Sequence, residues 1–207
     1  MCIRDSLMED ALRVLYYLHR HKDVGLTYES SSEFLHGFSD SDWGVPHSTS
    51  GYVFQLQNAT ISWGSKKQVS VALSSCEAEL MAGSEAAKEA IYLRRFEKEL
   101  GHGNPKPTRL GMDNQAGIAI AYNPEMHSRT KHIHRRHFFI RELVEDQQIT
   151  VPYVHTSENC ADFFTKSLSS TKFFAFRDKI MNVTAVGPHG PGSTVRKPPP
   201  STTAKGG

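Results

Sequence analysis

Cysteine is scarce: Cys2, Cys76 and Cys160 are the three among 207 residues. They are too few and too scattered for a disulfide framework, which excludes a small stapled scaffold and makes reduced thiols the expectation. Long apolar runs are also missing. None approaches the roughly 18 residues that a membrane helix needs, and no positive-then-apolar leader opens the chain. Nor is there an excess of one charge. The 24 basic and 22 acidic residues give a net +2. Arg196, Lys197 and Lys205 lie in an acid-free stretch, residues 184–207, and 24 less those three leaves 21 bases against 22 acids, near −1. Bulk charge therefore does not mark a nucleic-acid binder; such a role has to come from local patches and chemistry.

What is present is a globular composition, 38% apolar and 10% aromatic, at a length that suits one domain with appendages. Residues 1–6 match nothing that follows and are set aside. Residues 7–24 place Leu12, Leu15, Tyr16 and Leu18 at helical spacing, a short amphipathic helix that ends near Gly25. From Glu33 the period changes to two. EFLHGFSDSDWG, SGYVFQLQ and ATISWGS read as three strands, the last two joined around Gln57 and Asn58, and suggest an antiparallel meander. VSVALSS is a further strand-like run.

Ser74 and Glu77 have the S-x-x-E form of a capping box. They open a long helix rich in Ala, Glu, Leu and Lys, which Gly101 stops. A strand at 109–113, helices at 114–122 and 131–146, a strand at 149–156 and helices at 158–168 and 171–181 follow. This order predicts an α/β fold, a mixed sheet flanked by helices. Residues 184–207 hold 5 Gly and 5 Pro and no large aromatic, so residues 183–207 read as a disordered tail.

Four acids stand at strand ends or helix starts: Asp40, Glu79, Asp113 and Asp162. Those are the places from which a mixed sheet gathers side chains into one cleft. Carboxylates brought together raise each other's pKa, and a divalent cation removes the conflict. Hard oxygen ligands favour Mg²⁺ or Mn²⁺ over Zn²⁺, and two such ions about 4 Å apart can act on a phosphodiester. Asp42 shares a strand face with Asp40 and competes with it. Glu77 competes with Glu79 but suits the cap. Spacing alone does not separate these acids from the solvated remainder of the 22. His132, His134 and His137, with Cys160 downstream, raise a zinc site. No C-x-x-C pair accompanies them, however, and i, i+2, i+5 spacing does not aim three imidazoles at one point.

The phrases FSDSDWG, STSGYVF, SKKQ, ALSSCEAELMAGSEAAKEAIYLRR, MDNQAGIA, RTKHI, FIRELVED and ADFFTKSL, in this order, resemble the ribonuclease H domain of copia-type retrotransposon Pol polyproteins. ALRVLYYL followed by GLTY resembles the end of the preceding reverse transcriptase. The resemblance covers about residues 9–181. It divides the chain into 1–28, the end of a reverse transcriptase; 29–182, a ribonuclease H-like domain; and the tail.

It implies a ribonuclease H-like fold, with a mixed five-stranded sheet made of the meander and two further strands. It also implies endonucleolytic hydrolysis of the RNA strand of RNA–DNA hybrids during reverse transcription. That reaction has a two-metal-ion mechanism leaving a 3′-hydroxyl and a 5′-phosphate. The family's catalytic, metal-binding acids map to Asp40, Glu79, Asp113 and Asp162, with two Mg²⁺ ions or, alternatively, Mn²⁺. Asp42 stays the rival. Gln115 maps near the hybrid's minor groove, where 2′-hydroxyls mark the RNA strand; the competing role in that turn is helix capping by Asn114. Lys66, Lys67, Arg129, Lys131 and His132 are candidate phosphate contacts. Many such enzymes carry a mobile histidine upstream of the last acid; His155 lies seven residues before Asp162, across a loop that is short for that role. The implied partners are an RNA–DNA hybrid and the reverse transcriptase of the same polyprotein, with no membrane; the implied location is intracellular, in a cytoplasmic virus-like particle or the nucleus. His134, in place of an acid, and Phe138, in place of a histidine, depart from the family pattern, and leave a catalytically inactive nucleic-acid-binding remnant as the alternative. An integrase-like strand transferase needs the order D-D-E, whereas the order here is Asp, Glu, Asp, Asp.

Overall fold

A computed structural model describes residues 3–44, 46–122 and 134–183. The elements are α1 (Ile3–Arg20), β1 (His36–Asp42), β2 (Thr49–Leu56), β3 (Ala59–Lys67), α2 (Ser75–Glu99), β4 (Thr108–Gly111), α3 (Gln115–Tyr122), α4 (His134–Glu145), β5 (Ile149–Thr150), a 3₁₀ turn (Cys160–Phe164) and α5 (Ser170–Met181). The strands form one sheet in the order β3-β2-β1-β4-β5. β2 is antiparallel to β1 and to β3, while β4 is parallel to β1 and to β5. This is the mixed five-stranded α/β sheet expected from the sequence, a meander with two further strands.

The meander turns at Gln57 and Asn58, whose φ values of 51° and 65° suit the two-residue hairpin turn that follows strand twist. The chain leaves the meander at the sheet edge and returns beside β1. Parallel pairing needs such a crossover, and α2 supplies it. Ser74 Oγ accepts from the Glu77 amide at 3.2 Å, and Glu77 Oε2 accepts from the Leu73 amide at 2.7 Å. At the other end Gly101 takes φ 81°, a left-handed stop that a Cβ would disfavour.

Successive residues of β2 point to opposite faces, and each face has its own core. Phe54 joins Leu35, Leu80, Leu110, Met112 and Ile140 beneath α2 and α4. Val53 joins Cys160, Phe176 and Ile180 beneath the 3₁₀ turn and α5.

Five sequence expectations change. VSVALSS is not a strand: Val69 and Leu73 are 86% and 83% exposed, and the segment loops into the α2 cap. Its β-branched residues favour a strand only where a partner strand and a face to bury exist. The strand at 149–156 shrinks to β5 plus one bridge between Tyr153 and Met112, because Pro152 has no N–H to donate to a ladder. The helix at 158–168 is the short 3₁₀ turn. Asp113 lies two residues beyond the end of β4 rather than within it. The residues that define the apolar face of α1 are also not its contact. Leu12, Leu15, Tyr16 and Leu18 are exposed, and α1 meets α5 through Tyr17, against Phe173, while His21, just past the end of α1, lies against Phe174. No described helix is long and apolar enough to cross a membrane.

Candidate metal centre

β1 and β4 run parallel, with Phe38 paired to Gly111. Two residues further along come Asp40, still within β1, and Asp113, just past the end of β4. Glu79 comes down from the second turn of α2. Its Oε1 accepts from the Ser41 amide at 3.1 Å and from Ser41 Oγ at 2.9 Å, so the residue after Asp40 anchors the helix acid beside it. The result is a set of carboxylate oxygens, one each from Asp40, Glu79 and Asp113, all within 4.8 Å of one another. Three hard oxygen donors at that spacing can hold a divalent cation such as Mg²⁺ or Mn²⁺.

The electrostatics suit a bound cation. Asp40 is 1% exposed and Glu79 6%. Burial raises Asp40 to about 6, against the pull of Thr165 and Lys166. Burial, and then the neighbouring Asp40 carboxylate, raise Glu79 to about 8. Glu79 Oε2 is buried without a hydrogen-bond partner, and an orphaned carboxylate oxygen in a carboxylate cluster fits a cation. Asp113 is less enclosed, and Thr156 Oγ1 donates to its Oδ2 at 2.8 Å.

Asp162 is drawn to the same end of the sheet from the opposite face. It lies in the 3₁₀ turn, 1% exposed, and outside the three-acid set. Lys166 Nζ stands 3.1 Å from Asp162 Oδ1 and 3.4 Å from Asp40 Oδ2. Burial opposes the charged ammonium, but the two carboxylates outweigh it and raise the Lys166 pKa. Thr165 Oγ1 donates to Asp40 Oδ2. The turn carrying Thr165 and Lys166 is anchored by fully buried Asn159, whose Nδ2 donates to Ser39 O at 3.1 Å and whose Oδ1 accepts from the Ala161 amide. Gly51, the partner of Asp40 on β2, lets this turn approach: a Cβ there would come within 2.6 Å of Thr165 Cγ2 and 3.2 Å of Ala161 O.

Asp42 ends β1 exposed to solvent and is not in the three-acid set. Glu77 is occupied as the α2 cap. Asn114 caps α3, its Oδ1 accepting from the Gly117 amide at 2.9 Å, while Gln115 is exposed in the first turn. His155 is exposed, and its Nδ1 is engaged by Ser157 Oγ at 2.8 Å; it adjoins Thr156, the partner of Asp113. Lys66 and Lys67 are exposed at the end of β3. The pairing Lys66–Ser50–Ser41 places them at the same end of the sheet as Asp40. They border a cavity of about 120 Å³, with Arg136 of α4 also on its wall.

Arg129, Lys131 and His132 lie outside the described residues, as do the side chains of His134 and His137 and all of residues 184–207. Cys160 packs in the second core, where burial pushes its thiol up to about 11, so it serves as an apolar filler.

Sequence reading missed Asn159, Thr165, Lys166 and Arg136. For Thr165 and Lys166 a signal existed: they follow Asp162 by three and four residues, the spacing that shares a face on a helical turn. For Arg136 the local sequence carried none.

No family model matches the chain. Among curated proteins it is 39% identical over 164 residues to the Retrovirus-related Pol polyprotein from transposon TNT 1-94 of Nicotiana tabacum, an alignment covering 77% of this chain and 12% of that protein. It is 36% identical over 181 residues to the Retrovirus-related Pol polyprotein from transposon RE1 of Arabidopsis thaliana, covering 85% and 12%. RNase H1 from the halophilic archaeon Halobacterium salinarum NRC-1 is similar at TM-score 0.48 and 16% identity, over 64% of this chain and 95% of that one. The chain thus spans about 12% of the length of these two relatives, and it is a homologue of the retrovirus-related Pol polyproteins of plant transposons.

Proposed function

We propose that the chain is the RNA-cleaving nuclease of a copia-type retrotransposon Pol polyprotein, and that it hydrolyses the RNA strand of RNA–DNA hybrids during reverse transcription. The observation that carries this reading is the convergence of Asp40, Glu79 and Asp113 from three separate elements to within 4.8 Å. The homology to Pol polyproteins supplies its context.

Asp40, Glu79 and Asp113 are the residues to hold the first ion, and Asp162 with Asp40 a second. Mg²⁺ or Mn²⁺, when bound, supplies a Lewis acid that neutralises charge on the scissile phosphate and makes water a better nucleophile. The chain's own groups do the remainder. Ser41 aims Glu79, Thr165 aims Asp40 and Thr156 aims Asp113. Lys66 and Lys67, on the same sheet end, neutralise backbone phosphates of the hybrid, a role extended to Arg129, Lys131 and His132. Gln115, exposed one turn from Asp113, reads the minor groove. Asp42 and His155 are held as flanking polar groups, outside the ion site. Residues 1–28 belong to the end of a reverse transcriptase, so restoring the upstream domain tightens hybrid binding.

The test is direct. The folded chain with Mg²⁺ is given a labelled RNA–DNA hybrid and, separately, duplex DNA. Cleavage of the RNA strand alone, abolished by Asp113→Asn, is the expected result. Hybrid binding without turnover in either form would instead establish the inactive remnant.

A further inference from the structure

Lys166 has no part in the three-acid set, yet among the described residues it is the cation paired with acids of the site. Its Nζ lies 3.1 Å from Asp162 Oδ1 and 3.4 Å from Asp40 Oδ2. Both carboxylates are 2% exposed. They are also the pair that a second divalent ion has to use, since Glu79 and Asp113 belong to the first. An ammonium and a divalent cation cannot share these oxygens, because their charges repel and Nζ fills the space.

The two sides of the contact differ in mobility. Asp162 sits in a turn whose cap, Asn159, is 0% exposed and bonded to β1. Asp40 lies in a central strand and receives the Thr165 hydroxyl. The Lys166 side chain is 33% exposed, follows the end of the 3₁₀ turn and is long and flexible, so it has solvent to swing into.

We propose that Lys166 is a positioning residue that occupies the second-ion position: it holds Asp40 and Asp162 together in the metal-free protein and competes with the second divalent ion. One ion then binds tightly to Asp40, Glu79 and Asp113, and another enters only as Lys166 swings out. This rests on the metal-dependent reading above and adds to it an order of binding and an inequality of affinity.

The test is Mn²⁺ binding to the full chain, followed by EPR of the free ion, in wild type, Lys166→Met and Lys166→Arg, with folding checked by circular dichroism. Wild type is expected to bind one ion tightly and a second at least about tenfold more weakly. Lys166→Met tightens the second by about tenfold and leaves the first within about twofold. Lys166→Arg keeps the wild-type inequality.

A second readout needs no substitution. The Lys166 ¹⁵Nζ resonance, slowed in exchange by its ion pairs, moves to the position of a free lysine when Mg²⁺ saturates both sites. Equal constants for the two ions in wild type, or a resonance unmoved while two ions bind, overturns the proposal and leaves the metal reading intact. Weaker binding of both ions to a folded Lys166→Met overturns it as well, by reducing Lys166 to a structural prop. Absence of any Mn²⁺ binding to wild type overturns the metal reading and the proposal together. If Lys166→Met does not fold, the wild-type titration decides.

Discussion

The two faces of the sheet are covered unequally. Beneath α2 and α4 lies a broad core in which Phe54, Leu110 and Ile149 are fully buried, and in which Ala86, Ala87 and Ala90 bring the long helix close. On the opposite face Val53, Cys160, Phe176 and Ile180 are the buried residues, with Phe38, Phe163 and Phe164 only partly covered. The candidate site lies at the sheet end where the faces meet and takes different parts from each. The thick face contributes Glu79, locked to Ser41. The thin face contributes Asp162, on a turn pinned by Asn159, and just after that turn Lys166, whose side chain reaches solvent. Ligands for an ion belong on rigid elements, and a residue that has to move belongs where little packs on it.

The largest effect tests whether the meeting point is the active centre. Asp40→Asn is expected to lower hybrid cleavage by about 10³-fold with the circular dichroism spectrum unchanged; a variant with more than a tenth of wild-type turnover is incompatible with the site. The comparison of faces is then tested by the same truncation on each. Phe54→Ala is expected to cost about 3–5 kcal/mol, and Phe176→Ala about 3 kcal/mol, at the low end of that range, since a thinner layer collapses more readily. Urea unfolding measures both, and equal losses would erase the distinction.

Gly51→Ala sharpens it further. The added Cβ meets Thr165 and Ala161 across the thin face, so a loss of about 1–3 kcal/mol is expected, together with weaker Mn²⁺ binding; a variant as stable as wild type contradicts the close approach. A pH series separates the faces by charge. Asp40 and Glu79 are raised from ordinary values of 3.8 and 4.5 to about 6 and about 8. Their protons are therefore retained in the metal-free fold after the unfolded chain has lost them. Stability from this source is complete below about pH 4 and drains as pH rises to about 8. Divalent cation reverses the loss, and Glu79→Gln removes the part between about 6 and 8; metal-free melts that rise over that range contradict it. The smallest effect is at the outer layer. Tyr17→Ala removes the edge contact with Phe173 and is expected to cost about 1 kcal/mol without changing cleavage.

Much of the candidate site was legible because its residues lie close to the ends of regular elements. Asp40 follows an alternating run, Glu79 follows a capping box, and Asp113 follows a short apolar strand. The capping box also resolved the competition between Glu77 and Glu79, since one acid is consumed by the Leu73 amide. Asn159 was not legible, and for Thr165 and Lys166 the spacing from Asp162 gave a shared face but not the groups they would meet. Thr165 meets Asp40 across 125 residues, and Asn159 meets Ser39 across 120; no local periodicity encodes such contacts. VSVALSS misled for the opposite reason. Its local preference is real, but no partner strand is paired with it. The apolar residues of α1 misled likewise, because spacing defines a face without saying what covers it.

By itself, the amino-acid sequence determined most of the succession of strands and helices, the turn at Gln57 and Asn58, the start and stop of α2, and which acids stand near element ends. These follow from backbone preference and from hydrogen bonds between near neighbours. Only the tertiary structure decided that three of those acids share one space, that their burial raises two of them, and that a lysine lies between the fourth and Asp40. Distance and desolvation belong to the packed chain: carboxylates remote in sequence feel one another only when the sheet brings their ends together and excludes the water that would screen them.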